Sequence, residues 1–226
     1  MTLVIFARCQ DGCVLASDRK ATLNSGFGED ESKSRVYRRG WAIAGAGDGL
    51  TIQTLITRLE EGDITRENVE GKVLDILREY YRTLPGNGVS CIVLSNRGGS
   101  VQASVIEVSP IGSSLRTIES PYKCIGEEAP LIIASHYIEE QGGSYGDKLS
   151  KDAAVEILAI LQKASKGGSF VGTRERYGFD IVLFKNGEYC YKPRDTTEYV
   201  ILTSKYRPAE GASPQYTYTQ FENGGA

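Results

Sequence analysis

Apolar residues fill both faces of the segment Thr2 to Cys9, which predicts a strand covered on both sides. Cys13 to Ser17 is a second short apolar run, joined to the first through Asp11-Gly12, a strong hairpin signal. Residues 20 to 34 turn polar and glycine-bearing and read as a loop or an irregular hairpin arm. Arg35 to Arg38 and Trp41 to Ala46 form another expected hairpin, turning at Arg39-Gly40. The period then changes. Leu50, Ile52, Leu55, Ile56 and Leu59 share one helical stripe, so Asp48 opens a helix that stops at Gly62. Thr65 can cap a second helix to about Leu84, with Val69, Val73, Ile76, Leu77 and Tyr80 inward, and Pro85-Gly86-Asn87-Gly88 ends it.

Strands return at Val89 to Ser95 and Val101 to Val108, linked by Asn96-Arg97-Gly98-Gly99, and then at Leu115 to Ile118 and Lys123 to Ile125. A third helix is expected over Pro130 to Glu140, and a fourth with Ser150 as its cap and Ala153, Ile157, Leu158 and Leu161 inward. The last hairpin runs Phe179 to Lys185, turns at Asn186-Gly187 and returns over Glu188 to Lys192. The order is strands, two helices, strands, two helices, strands. Runs of like elements imply antiparallel sheets with helices layered outside them. The predicted class is α+β, a four-layer αββα sandwich. Residues 1–206 read as one domain, and 207–226, polar and small, as a flexible C-terminal tail.

Composition narrows the chemistry. A net charge of −3 and a pI near 5.4 argue against nucleic-acid or membrane-surface roles. No apolar run spans a bilayer and no basic-then-apolar leader opens the chain, so a cytoplasmic location is expected. The five cysteines, Cys9, Cys13, Cys91, Cys124 and Cys190, read as free core thiols. Cys9 and Cys13 straddle the first turn, where a redox pair or metal clip is a minor alternative. The single histidine, His136, lies in a helical stretch beside Tyr137 and reads as a solvated residue. No metal or cofactor is expected.

Thr2 is the residue with the most chemistry. If Met1 is trimmed, as is usual before a small residue, Thr2 carries a free α-amine beside its own hydroxyl. Such an amine has a pKa near ~8, so a useful fraction is neutral at pH 7 and can take the hydroxyl proton. The plainer reading is that Thr2 is small only to permit trimming.

The stretch that follows changes the balance. Asp11-Gly12, Val14 through Thr22, Lys33 and Ala42-Ile43-Ala44-Gly45-Ala46-Gly47-Asp48-Gly49 together resemble the amino-terminal third of proteasome β-type subunits and their bacterial ATP-dependent relatives. Those are N-terminal nucleophile hydrolases built as four-layer sandwiches. The resemblance covers residues 2 to 49 closely and the layout to about residue 190. It implies that Thr2 is the nucleophile, with its amine as base, and that Lys33 steadies the alkoxide. Asp18 would keep Lys33 charged. Gly45 would offer its backbone N–H to the oxyanion, although Gly45, Gly47 and Gly49 equally suit a tight strand-to-helix turn. Thr22 and Gly47 would contact the substrate backbone, and Ile43 would border an apolar side-chain pocket. The partners implied are peptides or unfolded proteins, a homo-oligomeric ring and an AAA+ unfoldase.

Two departures stand out. The family's serine near the nucleophile is replaced in Gly126-Glu127-Glu128-Ala129-Pro130 by Glu127 or Glu128, a modulating carboxylate or simply a helix-start acid. The family's later acid and serine have no clear counterpart in Gly172 to Tyr177, and Asp180 follows only within the strand. With nothing preceding Thr2 but Met1, the chain is expected to lack a propeptide, like the bacterial peptidases. The leading expectation is a threonine peptidase. A transpeptidase using the same acyl-enzyme and an inactive ring-forming scaffold are the alternatives.

Overall fold

The computed structural model describes residues 2–22, 28–30, 34–37, 40–83, 88–97, 100–165, 179–185, 188–192, 198–203 and 217–220. The strands are β1 (Leu3–Cys9), β2 (Gly12–Asp18), β3 (Lys20–Thr22), β4 (Gly28–Asp30), β5 (Ser34–Tyr37) and β6 (Trp41–Gly47). They continue with β7 (Val89–Arg97), β8 (Ser100–Ser109), β9 (Gly112–Thr117), β10 (Tyr122–Gly126), β11 (Phe179–Lys185), β12 (Glu188–Lys192), β13 (Glu198–Thr203) and β14 (Thr217–Gln220). The helices are α1 (Gly49–Glu61), α2 (Val69–Thr83), α3 (Glu128–Glu140) and α4 (Ser150–Ala164).

One sheet has the order β10-β1-β2-β11-β12-β13-β14 and the other β5-β6-β7-β8-β9, while β3 and β4 form a separate ribbon. Among the described residues, every pairing of these strands is antiparallel. The period of two in β1 shows why the layers stack. Leu3, Ile5 and Ala7 face α3 and α4, packing with Ala153, Ile157 and Leu161. Val4 and Phe6 face the other sheet, where they meet Ala42, Ala44, Ile92 and Leu94. Three alanines at alternate positions of β6 leave room for Phe6, Leu15 and Phe184 opposite. Ile43, Val93 and Ile106 point outward again, beneath Ile52, Leu55, Val73 and Leu77 of α1 and α2. The architecture is the four-layer αββα sandwich that the element order implied. Among the described residues, no helix is long and apolar enough to cross a membrane.

Several boundaries moved for identifiable reasons. Asn68 Oδ1 accepts from Thr65 N–H at 2.9 Å, so Thr65 to Asn68 close a turn and α2 begins only at Val69. Helix α3 starts two residues before Pro130, which its first turn tolerates because the missing N–H has no helical partner there. Ser150 is the first residue of α4 and not its cap. The capping carboxylate comes instead from Asp11, whose Oδ1 accepts from Ser150 N–H at 2.6 Å across 139 residues of sequence. Within the segment expected to be a loose tail, Thr217–Gln220 is a strand paired with β13.

Cys9 and Cys13 do not form a pair. The register sets Cys9 opposite Gly12 and Cys13 opposite Arg8, so the two thiols lie on opposite faces of the hairpin. Cys9 packs on the helix side, Cys13 sits between the sheets, and both are free. Burial pushes the Cys9, Cys91 and Cys124 thiols up to about 12.

Beneath α2 lies a buried polar cluster. Glu70 accepts from Ser104 Oγ at 3.0 Å and from Arg97 Nη2 at 2.6 Å, with Ser95 Oγ at 3.5 Å. Alternation along β7 and β8 turns Ser95, Arg97 and Ser104 to the α2 side, with Val93 and Ile106.

Three outcomes are expected. Glu70→Ala strands two serine hydroxyls and an arginine, and should lower stability by about 2 kcal/mol in urea denaturation. Unfolded thiols ionise near the ordinary 9.0 and the folded ones only near 12, so the folded state holds more protons between those values. Stability should therefore fall as pH rises through that window. Peptide mapping after alkylation of the native protein at pH 8 should find Cys91 and Cys124 unmodified.

Candidate active site at the start of the first strand

Thr2 stands just ahead of β1 and is fully buried, at 0 % exposure. Its backbone is fastened on both sides. The Thr2 carbonyl accepts from Glu127 N–H at 3.1 Å, continuing the β1–β10 ladder one step past the Leu3–Gly126 pair. On the other side, Asp18 Oδ1 accepts from Leu3 N–H at 2.9 Å. Asp18 ends β2 directly opposite Leu3, so a side-chain carboxylate takes the place of a ladder carbonyl where the strand gives out.

Gly126 makes the first of these contacts possible. Its φ is +138°, and a Cβ there would lie 1.9 Å from the Thr2 carbonyl oxygen. Only glycine fits both the backbone conformation and that approach. Glu127 then occupies the N-cap of α3 (φ −64°, ψ 136°) without making a side-chain cap hydrogen bond.

On the inter-sheet face the polar groups continue. Ser17 and Asp180 are paired in register, both at 0 % exposure, and alternation sets them with Leu15 and Val182 between the sheets. Arg19 Nη1 meets Asp180 Oδ1 at 2.7 Å. Val4 is opposite Ser17, and the same alternation turns Thr2 towards this face with Val4 and Phe6. The ends of β1, β2 and β11 thus gather a threonine, a serine, an aspartate and an arginine in a buried setting, while Asp18 alternates to the helix side with Ala16 and Phe179. Charged groups here feel weakened screening, and each needs its partner.

The other sequence-derived residues that the structure describes each have packing or pairing partners of their own. Ile43 is 2 % exposed and belongs to the core under α1 and α2. A Cβ on Gly45 would lie 3.2 Å from Ile52, so helix packing accounts for a glycine there. Gly47 has φ +126° and a would-be Cβ 2.5 Å from the Gly88 carbonyl, which fits the turn into α1. Asp48 caps that helix, accepting from Thr51 N–H at 2.9 Å. Thr22 is paired with Gly28 in the β3–β4 ribbon. Lys33 lies outside the described residues, so its partnership with Asp18 has no geometry here.

The Arg19–Asp180 couple escaped the sequence reading, which left Asp180 as a strand residue. Its signal was present, because Asp180 alternates with Val182 and Phe184 and is the polar member of an inward-facing stripe. Among the described residues, no cluster of His, Cys, Asp and Glu could hold a metal ion.

This four-layer sandwich of two antiparallel sheets is the Ntn-hydrolase fold. Solved structures share it. Anbu from Yersinia bercovieri, an ancestral beta-subunit, matches with a TM-score of 0.67 at 16 % identity, covering 86 % of this chain and 88 % of that one. Anbu from Hyphomicrobium sp. strain MC1 matches with a TM-score of 0.65 at 15 % identity, covering 90 % and 88 %. The Anbu complex from Pseudomonas aeruginosa, a helical assembly, matches with 0.66 at 16 %, covering 86 % and 88 %. No protein-family model and no curated protein matches the chain. These findings correct the family drawn from residues 2 to 49. The assignment to proteasome β-type subunits and bacterial ATP-dependent threonine peptidases finds no family model behind it, and the likeness in structure is to Anbu proteins. Their identity to this chain shows the fold alone.

Gly126→Ala should force the Thr2–Glu127 contact apart. Hydrogen exchange at the Glu127 amide should rise at least tenfold, and thermal unfolding should move down by several degrees.

Proposed function

We propose that the chain is an N-terminal threonine hydrolase acting on peptide bonds. Hydrolysis of the Met1–Thr2 bond would release methionine and leave Thr2 with a free α-amine. The Thr2 hydroxyl would then attack a peptide carbonyl, passing its proton to that amine through a water. The C–N bond breaks as the departing amine takes the proton, and an ester to Thr2 Oγ remains. A second water hydrolyses the ester and restores the hydroxyl.

The observation that carries this reading is the fastening of Thr2 between two carboxylate-bearing residues at the mouth of the inter-sheet layer. Leu3 N–H on Asp18 and the Thr2 carbonyl on Glu127 N–H hold the backbone on both flanks. Held so, the hydroxyl would be presented in one geometry, which is the largest part of what positioning supplies. Arg19 and Asp180 form a fixed charge pair at the neighbouring ends of β2 and β11. Asp18 would in addition hold Lys33, and Gly45 would donate its N–H to the oxyanion.

The substrate class is peptides or unfolded chains, and self-assembly of the chain is part of the proposal, by analogy with the assembly named for the P. aeruginosa Anbu complex. Thr2→Ala should reduce cleavage of a fluorogenic peptide by about 10³-fold or more, while the circular dichroism spectrum stays unchanged. A peptide epoxyketone should add its mass to Thr2 in the processed protein and not in the variant. Retention of Met1, or full turnover by Thr2→Ala, would end this reading. Joined peptides in place of fragments would show that an amine, and not water, resolves the ester.

A further inference from the structure

Glu127 carries an oddity that the fold does not explain. Its Oε2 is buried, and no hydrogen-bond donor reaches it. A carboxylate oxygen withdrawn from water without a donor is destabilising, and in native proteins such a group usually has a purpose. Capping α3 is not that purpose, because the side chain makes no cap hydrogen bond.

What lies next to Glu127 is Thr2. The Glu127 N–H to Thr2 carbonyl bond makes the two residues direct cross-strand neighbours. In a hydrogen-bonded antiparallel pair the Cα atoms are about 5.5 Å apart, within reach of a glutamate side chain. While Met1 is attached, Thr2 nitrogen is an amide with one proton. Once the Met1–Thr2 bond is hydrolysed, the same nitrogen is an ammonium with three. Processing would therefore create a cation and two additional donors beside a buried acceptor that has none.

We propose that Glu127 is the counter-ion of the α-ammonium created at Thr2, and that it sets the pH at which this amine becomes a base. The inference rests on the N-terminal threonine reading above. Its sign follows from charge. A carboxylate beside an ammonium favours the protonated form, so Glu127 holds the amine as an acid at neutral pH and delays general-base action to higher pH. Among the described residues, the other charged groups on the neighbouring elements are engaged elsewhere or exposed. Asp18 on β2 has one oxygen committed to Leu3 N–H. Arg19, just after β2, and Asp180 on β11 are joined to each other. Glu128, the next residue of α3, is exposed. On β6 and its exit, Asp48 is engaged with Thr51. Glu127 is distinguished among these acids by its orphaned buried oxygen together with its direct backbone bond to Thr2.

The test compares Glu127→Gln and Glu127→Asp with the unmodified sequence, each as full-length processed protein. Two readouts are taken across pH 5 to 10. One is acetylation of the Thr2 amine by acetic anhydride, followed by mass spectrometry of the N-terminal peptide. The other is kcat/KM on a fluorogenic peptide. In Glu127→Gln the amine's half-titration point should drop by about one pH unit, and the acid limb of kcat/KM should drop with it. Glu127→Asp, which keeps the charge, should restore most of the original midpoint. An unmoved midpoint in Glu127→Gln, even with turnover lowered at every pH, would overturn the proposal and leave the threonine reading standing. A midpoint that moves in protein with no peptidase activity would support the ion pair and sink the peptidase. Retained Met1 would overturn both.

Discussion

The amide of Leu3 on the carboxylate of Asp18 fixes the point at which the first strand begins. Strand β1 is buried on both faces and flanked by β10 and β2 on both edges, so every backbone group along it needs an internal partner. At the open end the ladder runs out before the chain does. A side-chain carboxylate and the first amide of the next loop complete the pairing there, and polar groups gather where the apolar core stops. The position of the candidate nucleophile is thus a consequence of how a doubly covered strand must end. The same requirement explains Gly126, since the β10 backbone has to come within bonding distance of the Thr2 carbonyl with no side chain between.

Much of this was legible in residue order. The layers followed from runs of like elements, and the stripes Val69, Val73, Leu77 and Ala153, Ile157, Leu161 are the ones that pack inward. What the sequence concealed was tertiary. Asp11 caps a helix that begins 139 residues later, and no local window contains both partners. Cys9 and Cys13 flank a turn and invite pairing, but a register in which Cys9 meets Gly12 sends them to opposite faces. Thr217–Gln220 looks polar and loose because its strand character comes from β13, against which it pairs.

The candidate site divides the same way. Thr2, Asp18 and Glu127 were readable by position, and the structure puts them within one or two residues of the same backbone bonds. Gly45, Gly47 and Ile43 lie on β6, and each meets a packing or turn requirement of its own under α1. Asp180 was hidden because an acid inside an apolar strand gains meaning only when its neighbour is known to be Ser17 and its partner Arg19. The shared Anbu fold places this chain among four-layer sandwiches, and the chemistry rests on the few residues at the end of β1.

Glu70 has a consequence beyond local stability. Its acceptors are met by Ser104 and Arg97 only while β7 and β8 keep the register in which Val93 faces Ser104. A shift of one residue would carry Ser104 to the other face and put an aliphatic side chain against a submerged anion. Hydrophobic strands such as these would tolerate several alignments on greasiness alone, since valine, isoleucine and leucine are nearly interchangeable partners. One acid in the first turn of α2 therefore works as a proofreading mark for the sheet, making the misaligned hairpin the costlier choice while the chain is still sorting its strands.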